Sequence, residues 1–349
     1  MSIFTVSNTN DNGSGSLRQA IEEANATPGA DQIEFDPLLK GQEITLTSGE
    51  LDISDDLDIS GGKNITINGN HSARIFTIDD FDPTTQIEVS IDRLKLTGGS
   101  SSEGGGAINN AENLKISRSK IIDNENTSLE PTDGGGAIRN ADTGRLEIDQ
   151  SLIAKNQSSA FGGGITNFGE LEVSDSIIFG NEVTGGGGGG IDNRGSLAHI
   201  SGTIIAKNVN TVNPAGGFGN GTPDSTTIVE DSLITGNQAT DGAGFFVNAG
   251  KVELIDSLVV KNQAQNNGGG AALAEGAILE IDSSLIAFNR AELNGGGLAN
   301  LGGNVTLVSS KVFGNEALTG DGGGIFNDGG SLDLNSSFIV ANTPNNGIG

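Results

Sequence analysis

The sequence predicts an all-β chain: a right-handed parallel β-helix of about 11–13 coils closed by a short N-terminal capping helix. Three observations predict it. The first is a repeat of small-residue triplet, apolar residue, x, Asn, turn Gly, apolar-x-apolar, Ser, and a β-branched residue three before a second Asn, as in Gly162–Asn181. That second Asn recurs as Asn124, Asn156, Asn181, Asn208, Asn237, Asn262, Asn289, Asn315 and Asn342, spaced by 25 to 32 residues and each preceded at the third position by Ile or Val. A fixed period in this range marks a solenoid, propeller or array, and about 27 residues without aromatic blade signatures fits stacked coils. The second is the apolar-x-apolar run, such as Leu171-Glu172-Val173, whose period of two is that of a strand with one buried face. The third is that no stretch of 162–349 holds apolar residues at helical spacing for long enough to form a helix. Three strands per coil are expected, with coils stacked about 4.8 Å apart in a rod roughly 55–60 Å long.

Each recurrent residue has a physical reason. Glycine supplies the positive-φ corners. Asparagine tolerates the left-handed region, and its amide, stacked coil upon coil, can form a hydrogen-bonded ladder. The nine repeated asparagines are therefore read as a structural ladder.

A single β-helix domain spans 1–349, in three parts. Residues 1–32 hold a short strand with Phe4 and Val6 on one face, then a helix opened by the Ser16-Leu17-Arg18-Gln19 capping box. Leu17, Ala20, Ile21 and Ala24 fall on one side of that helix, Thr27-Pro28-Gly29 ends it, and it would cover the apolar end of the solenoid. Residues 33–100 read as three or four atypical coils of short alternating strands. Regular repeats fill 101–349, opened by Gly104-Gly105-Gly106. The longest interruptions, at 125–133, 209–215 and 221–227, are expected to cluster at one corner of the coil as loops on one side of the rod. After Asn342 only Thr-Pro-Asn-Asn-Gly-Ile-Gly follows. An open end exposes strand edges, so the chain is expected to continue or to be covered by further polypeptide, the alternative being a short tail folded over the last coil.

Composition narrows the function classes. A net charge of −27 argues against nucleic acid and anionic membrane surfaces as partners. Without cysteine there is neither a disulfide nor a thiolate metal site. No stretch is long and apolar enough to span a membrane, and the first residues lack the basic-then-apolar pattern of a secretory signal. Abundant Asp, Gly and Asn suit an exported surface protein, which predicts an extracellular or cell-surface location reached without a classical N-terminal signal in this chain.

Asn8-Thr9-Asn10-Asp11 followed by Gly13–Phe35 is similar to the N-terminal module of large bacterial extracellular β-helix proteins of the pectate-lyase-like superfamily. The Gly-Gly-Ala-Ile units at 105–108 and 135–138, with the Ile/Val-x-x-Asn units, resemble the repeats of polymorphic outer-membrane-protein adhesins, in which the second motif begins with Phe. The resemblance implies a β-helix that serves as an adhesin, a spike or a polysaccharide-acting enzyme.

Few residues carry recognisable chemistry. A lyase or epimerase needs a base and a cation or Arg to neutralise a carboxylate. His71 and Arg74 could pair at the rim of an early coil, or be turn residues, and His199 reads as a surface histidine. A glycosidase needs two carboxylates about 5–10 Å apart. The tightest acidic groups are Asp55-Asp56 and Asp79, Asp80 and Asp82, equally consistent with solvated turns. A groove over 50–100 gathering at least five carboxylates and one cationic side chain would mark an enzyme. Sugar-stacking Trp and Tyr are absent. The outward position of the apolar-x-apolar strand is Glu147, Glu172, Glu253, Glu280 and Asp333 in five copies. Stacked about 5 Å apart these carboxylates would repel one another, and Ca²⁺ would relieve the repulsion; a hydrated, solubilising face is the alternative. The reading is a non-catalytic structural or adhesive segment of a large exported bacterial surface protein, a stiff rod presenting loops to a glycan or another surface protein. The alternative is a polysaccharide lyase or epimerase acting on acidic glycans through the early acidic coils.

Overall fold

A computed structural model, which describes residues 1–347, shows a parallel β-solenoid. Three sheets run its length: one of 23 strands, one of 11 and one of 9. One coil shows the plan. Ile165–Asn167 lies in the 11-stranded sheet, Glu170–Ser174 and Ile177–Phe179 form two arms of the long sheet, and Glu182–Val183 enters the 9-stranded sheet. Four strands per coil replace the three expected. The fourth has two residues, too few to show a period in sequence.

Register is kept from coil to coil, so like residues stack. Leu114, Leu146 and Leu171 align, as do Ile121, Ile153, Ile178 and Ile205, all pointing into one continuous core. Phe218 lies on Phe245, ring centroids 4.8 Å apart and nearly parallel, and Ala271 follows on the next coil. Two large side chains are thus followed by a small one, which keeps the core filled without overpacking.

The nine asparagines stand in single file. Each Nδ2 donates to the Oδ1 of the next coil's Asn at 2.9–3.1 Å. The same Oδ1 also accepts the backbone N–H of the preceding Asn at 2.9–3.0 Å. From Asn156 onward, the second amide hydrogen reaches the carbonyl of the Ile or Val that precedes the previous coil's Asn by three, for example Asn208 to Ile178 O at 3.0 Å. That closes the donor and acceptor capacity of a buried amide. It also explains the invariant spacing: the β-branched side chain fills the core while its carbonyl supports the ladder.

Two further ladders run alongside. Asn110, Asn140, Asn167, Asn193 and Asn220 are joined at 2.7–3.3 Å, the file breaks at Val247 and Leu273, and Asn300 bonds Asn327 at 2.7 Å. Ser119, Ser151, Ser176, Thr203, Ser232, Ser257 and Ser284 each donate a backbone N–H to the hydroxyl one coil on, at 3.0–3.3 Å.

The helix Leu17–Asn25 covers the N-terminal end with Leu17, Ala20, Ile21 and Ala24 buried. Ser16 Oγ accepts the Gln19 N–H at 3.2 Å, while Gln19 Oε1 reaches back to the N–H of Gly15 rather than of Ser16. At the other end, Asn346 Oδ1 accepts both N–H groups offered by Asn342, at 3.2 Å, and the Asn346 carbonyl accepts the Ile325 N–H at 3.0 Å. Residues 343–346 therefore lie against the last coil. The strand Ser331–Asn335 stays uncovered, with Leu334 exposed.

Removing one rung tests the ladder. Asn208→Ala leaves the buried backbone N–H of Asn181 without an acceptor, removes one of the two bonds of Asn181 Nδ2 and one of the two donors to Asn237 Oδ1, and should cost about 2–4 kcal/mol. Gln238→Ala, on the exposed position next to a rung, should change stability by less than about 0.5 kcal/mol. Urea denaturation of both variants against the native chain measures the difference.

Candidate functional site

The outward residue of the 11-stranded sheet runs Asn109, Arg139, Thr166, Asp192, Gly219, Phe246 on successive coils. These positions face away from the core, yet Thr166 and Asp192 are buried. The cover comes from the insertions. Leu129 and Pro131 overhang from one, and Asn213 and Pro214 from the other, at the corner before this sheet. The third, represented by Gly221, enters from the corner after it. The insertions thus occupy two corners rather than one and bracket a single face.

Between them lies a cavity of about 450 Å³, within the size range of small-molecule sites. Asp192 forms its floor. Its Oδ2 accepts from Arg194 Nε at 2.6 Å, while its Oδ1 accepts no hydrogen bond among the described residues. Gly219, next in the row, leaves the space open: a Cβ there would stand 3.0 Å from Asp192 Oδ1. The Arg194 guanidinium lies 3.6 Å from the centre of the Phe161 ring, a cation–π contact that fixes its plane. A side chain on Gly186 would overlap that ring, which explains a glycine there. The two Nη groups of Arg194 make no hydrogen bond among the described residues. Burial pushes the Asp192 carboxyl above the usual range, opposed by the charge and hydrogen bond of Arg194. The result is a shielded acceptor beside unused planar donors, with Phe246 as an apolar wall and the Asn213 and Asn248 amides at the rim. This suits a small molecule with adjacent hydroxyl groups. The lining offers one carboxyl, where glycoside hydrolysis uses two.

A second cavity, about 340 Å³, opens nearer the N-terminus of the same side and is lined by Asp79, Asp82, Glu112, Arg139 and Asp142. Carboxylate oxygens of Asp79, Asp80 and Glu112 lie within 4.8 Å of one another, an arrangement that could hold a metal ion. Glu112 is buried and accepts the backbone N–H groups of Asp80 at 3.2 Å and Ile87 at 3.1 Å. Burial raises its pKa despite those bonds, and the charges of Asp80 and Asp79 add to the rise. Asp82 is exposed and held low by the hydroxyl and N–H of Thr84. The acidic groups 79–82 do gather, but around Glu112, Arg139 and Asp142 of later coils rather than within 50–100.

Other sequence candidates take different places. Arg74 is buried and does not pair with His71. Its guanidinium binds Glu50 at 2.9 Å, Thr77 and Ser101 hydroxyls, and the Gly104 and Gly105 carbonyls, tying three coils together. His71 sits exposed in a turn at φ 52°. His199 pairs with Glu230 at 2.9 Å. The acidic row is not continuous. Glu147 faces Glu172 and Glu253 faces Glu280, but His199 and Ile228 separate the two pairs and Thr306 separates Glu280 from Asp333. The chain supplies its own cations: Lys115 bonds Glu147, Arg145 lies 3.5 Å from Glu172, and Lys251 reaches both Glu253 and Glu280 at 2.9 Å. Its neighbours raise the Lys251 pKa, hydrogen bonds to Glu253 and Glu280 first among the causes.

Asp192, Arg194, Phe161 and Glu112 were not apparent from sequence. A signal existed: the x of apolar-x-Asn is uncharged in most copies, and Arg139 and Asp192 are its charged exceptions.

No family model and no curated protein matches the chain. Among solved structures it is similar to tailspike protein 3 of bacteriophage CBA120, with 9% identity, a TM-score of 0.44, and 95% of this chain against 60% of that one. It is also similar to PfbA, a surface adhesin of Streptococcus pneumoniae, with 10% identity, a TM-score of 0.32, and 96% of this chain against 92% of that one. The chain thus spans 60% of the tailspike's length.

The raised Asp192 carboxyl predicts a pH signature. Its folded pKa lies above the unfolded one, so the stability tied to its neutral form is complete below about pH 4 and falls as pH rises through the folded value. Asp192→Asn, which cannot ionise, should match the native chain's thermal midpoint in acid and exceed it increasingly toward neutral pH.

Proposed function

We propose that this chain is a non-catalytic, adhesive rod of an exported bacterial surface protein, working outside the cell, which holds a neutral sugar unit of a surface glycan in the Asp192–Arg194 pocket. One observation carries the reading: free donor and acceptor groups stand side by side, in a cavity with a single carboxyl, where the loop insertions converge on an otherwise repetitive rod. A vicinal diol offers both a donor and an acceptor and so matches Oδ1 of Asp192 and the Nη groups of Arg194. With a chain charge of −27, a neutral glycan meets less repulsion than an acidic one.

Binding of the native chain to an array of bacterial surface glycans tests this. A neutral glycan should be retained, and Asp192→Asn or Arg194→Ala should weaken it by about 10–100-fold, the loss of one charged hydrogen bond. Retention of no glycan, or binding indifferent to both substitutions, contradicts the reading.

The gathering of Asp79, Asp80 and Glu112 beside Arg139 favours one second reading, a lyase or epimerase working in the acidic cavity. Its high-pKa Glu112 would act as the proton-transfer group. Ultraviolet detection of unsaturated products from uronate polysaccharides, abolished by Glu112→Gln, would establish it in place of the non-catalytic rod.

A further inference from the structure

The two arms of the long sheet differ on their outer faces. On the arm holding Glu147 and Glu172, ion-paired charges are interspersed with Leu197, Ile228, Ile255 and Ile278. On the other arm the outward row is Leu152, Ile177, Ile204, Leu233, Leu258 and Leu285, six consecutive coils of aliphatic side chains in register. Ile177, Ile204 and Leu258 are about two-fifths exposed, at 40%, 38% and 44%, and the other three are half-buried. Lys120 ends the row on one side and Lys311 on the other. Scattered apolar residues are ordinary on a surface, but an aligned stripe marks an interaction site.

The edges of the stripe carry opposite charge. The corner before the arm presents Asp175, Asp231 and Asp256, and the corner after it Lys155, Lys207 and Lys261. All six are exposed, and among the described residues none makes an ion pair. On the neighbouring arm Lys115, Arg145 and Lys251 are all paired, so two unpaired, opposite rows flanking one apolar row stand out.

We infer that this face binds a second copy of the chain, with the two rods side by side and parallel. The geometry selects the orientation. A two-fold axis parallel to the rod lays each Asp corner over the partner's Lys corner, whereas an antiparallel pair sets Lys on Lys and Asp on Asp. The spacing agrees as well. Asp175 belongs to the coil between those of Lys155 and Lys207, and Asp231 to the coil between those of Lys207 and Lys261. In register, Asp175 and Asp231 therefore each face the gap between two lysines about 5 Å to either side, and Asp256 faces the lysine of its own coil level, Lys261. An anionic membrane is disfavoured by the acidic edge and the charge of −27. The strip, roughly 29 Å by 17 Å from six coils and five residues, buries about 1,000 Å² in total, the lower limit of specific association. The dimer is thus reversible, with a dissociation constant on the order of micromolar.

Sedimentation equilibrium of the native chain at tens of micromolar should give twice the monomer mass of 35.3 kDa, and Ile204→Glu, an exposed change that leaves the fold intact, should weaken association at least ~10-fold. Because the chain has no cysteine, Leu152→Cys and Leu285→Cys report orientation: each should form a disulfide with itself under oxidation. A monomer at all concentrations, a mass other than twice the monomer, or a disulfide only between the two different variants would overturn the inference.

Discussion

The structure depends on one buried amide, repeated. A primary amide offers two donors and two acceptor lone pairs, and burying it is costly unless all are used. Stacking identical amides one coil apart meets that demand with few other partners: each Oδ1 accepts twice from the rung before, and each Nδ2 gives one bond to the rung after. The remaining hydrogen goes to the carbonyl of an Ile or Val. A coil that shifted register by one residue would break all these bonds at once and turn its core side chains to solvent. Sequence period, strand register and core composition therefore constrain one another.

That rigidity decides where function can lie. Core and ladder positions are each occupied by the residue type their stacking requires, leaving outward strand positions, corners such as Asp175 and Lys207, and insertions between strands free to vary. The Asp192 pocket uses both. Its floor comes from outward strand positions, Asp192 and Gly219, and its walls from insertions at two corners. The aliphatic stripe uses outward positions alone. Ladder and pocket depend on opposite treatments of buried polar groups: the ladder satisfies every lone pair, whereas Asp192 Oδ1 is left for a partner.

The parts legible in sequence were those that repeat. The nine asparagines, the inward Leu, Ile and Val, and the helix face of Leu17, Ala20, Ile21 and Ala24 lie where periodicity placed them. Parts that depend on one copy differing from its neighbours were harder to read. Asp192 and Glu112 each occur once, and their significance comes from what covers them. Phe161 meets Arg194 only because two coils stack. The acidic positions show a related difference: Glu147 and Glu172, and Glu253 and Glu280, do stack, but Lys251, Lys115 and Arg145 are neighbours in space that a reading of one position per coil passes over.

Amide hydrogen exchange on the intact chain tests the dependence on the ladder most directly. Backbone N–H groups of Asn181, Asn208, Asn237 and Asn262 are each bound to a side chain one coil away. If stacked amides hold the coils, these hydrogens exchange only through opening of neighbouring coils together, with a common, high protection along the rod. Rung hydrogens exchanging as fast as those of the 127–132 insertion, or each at its own unrelated rate, would contradict it.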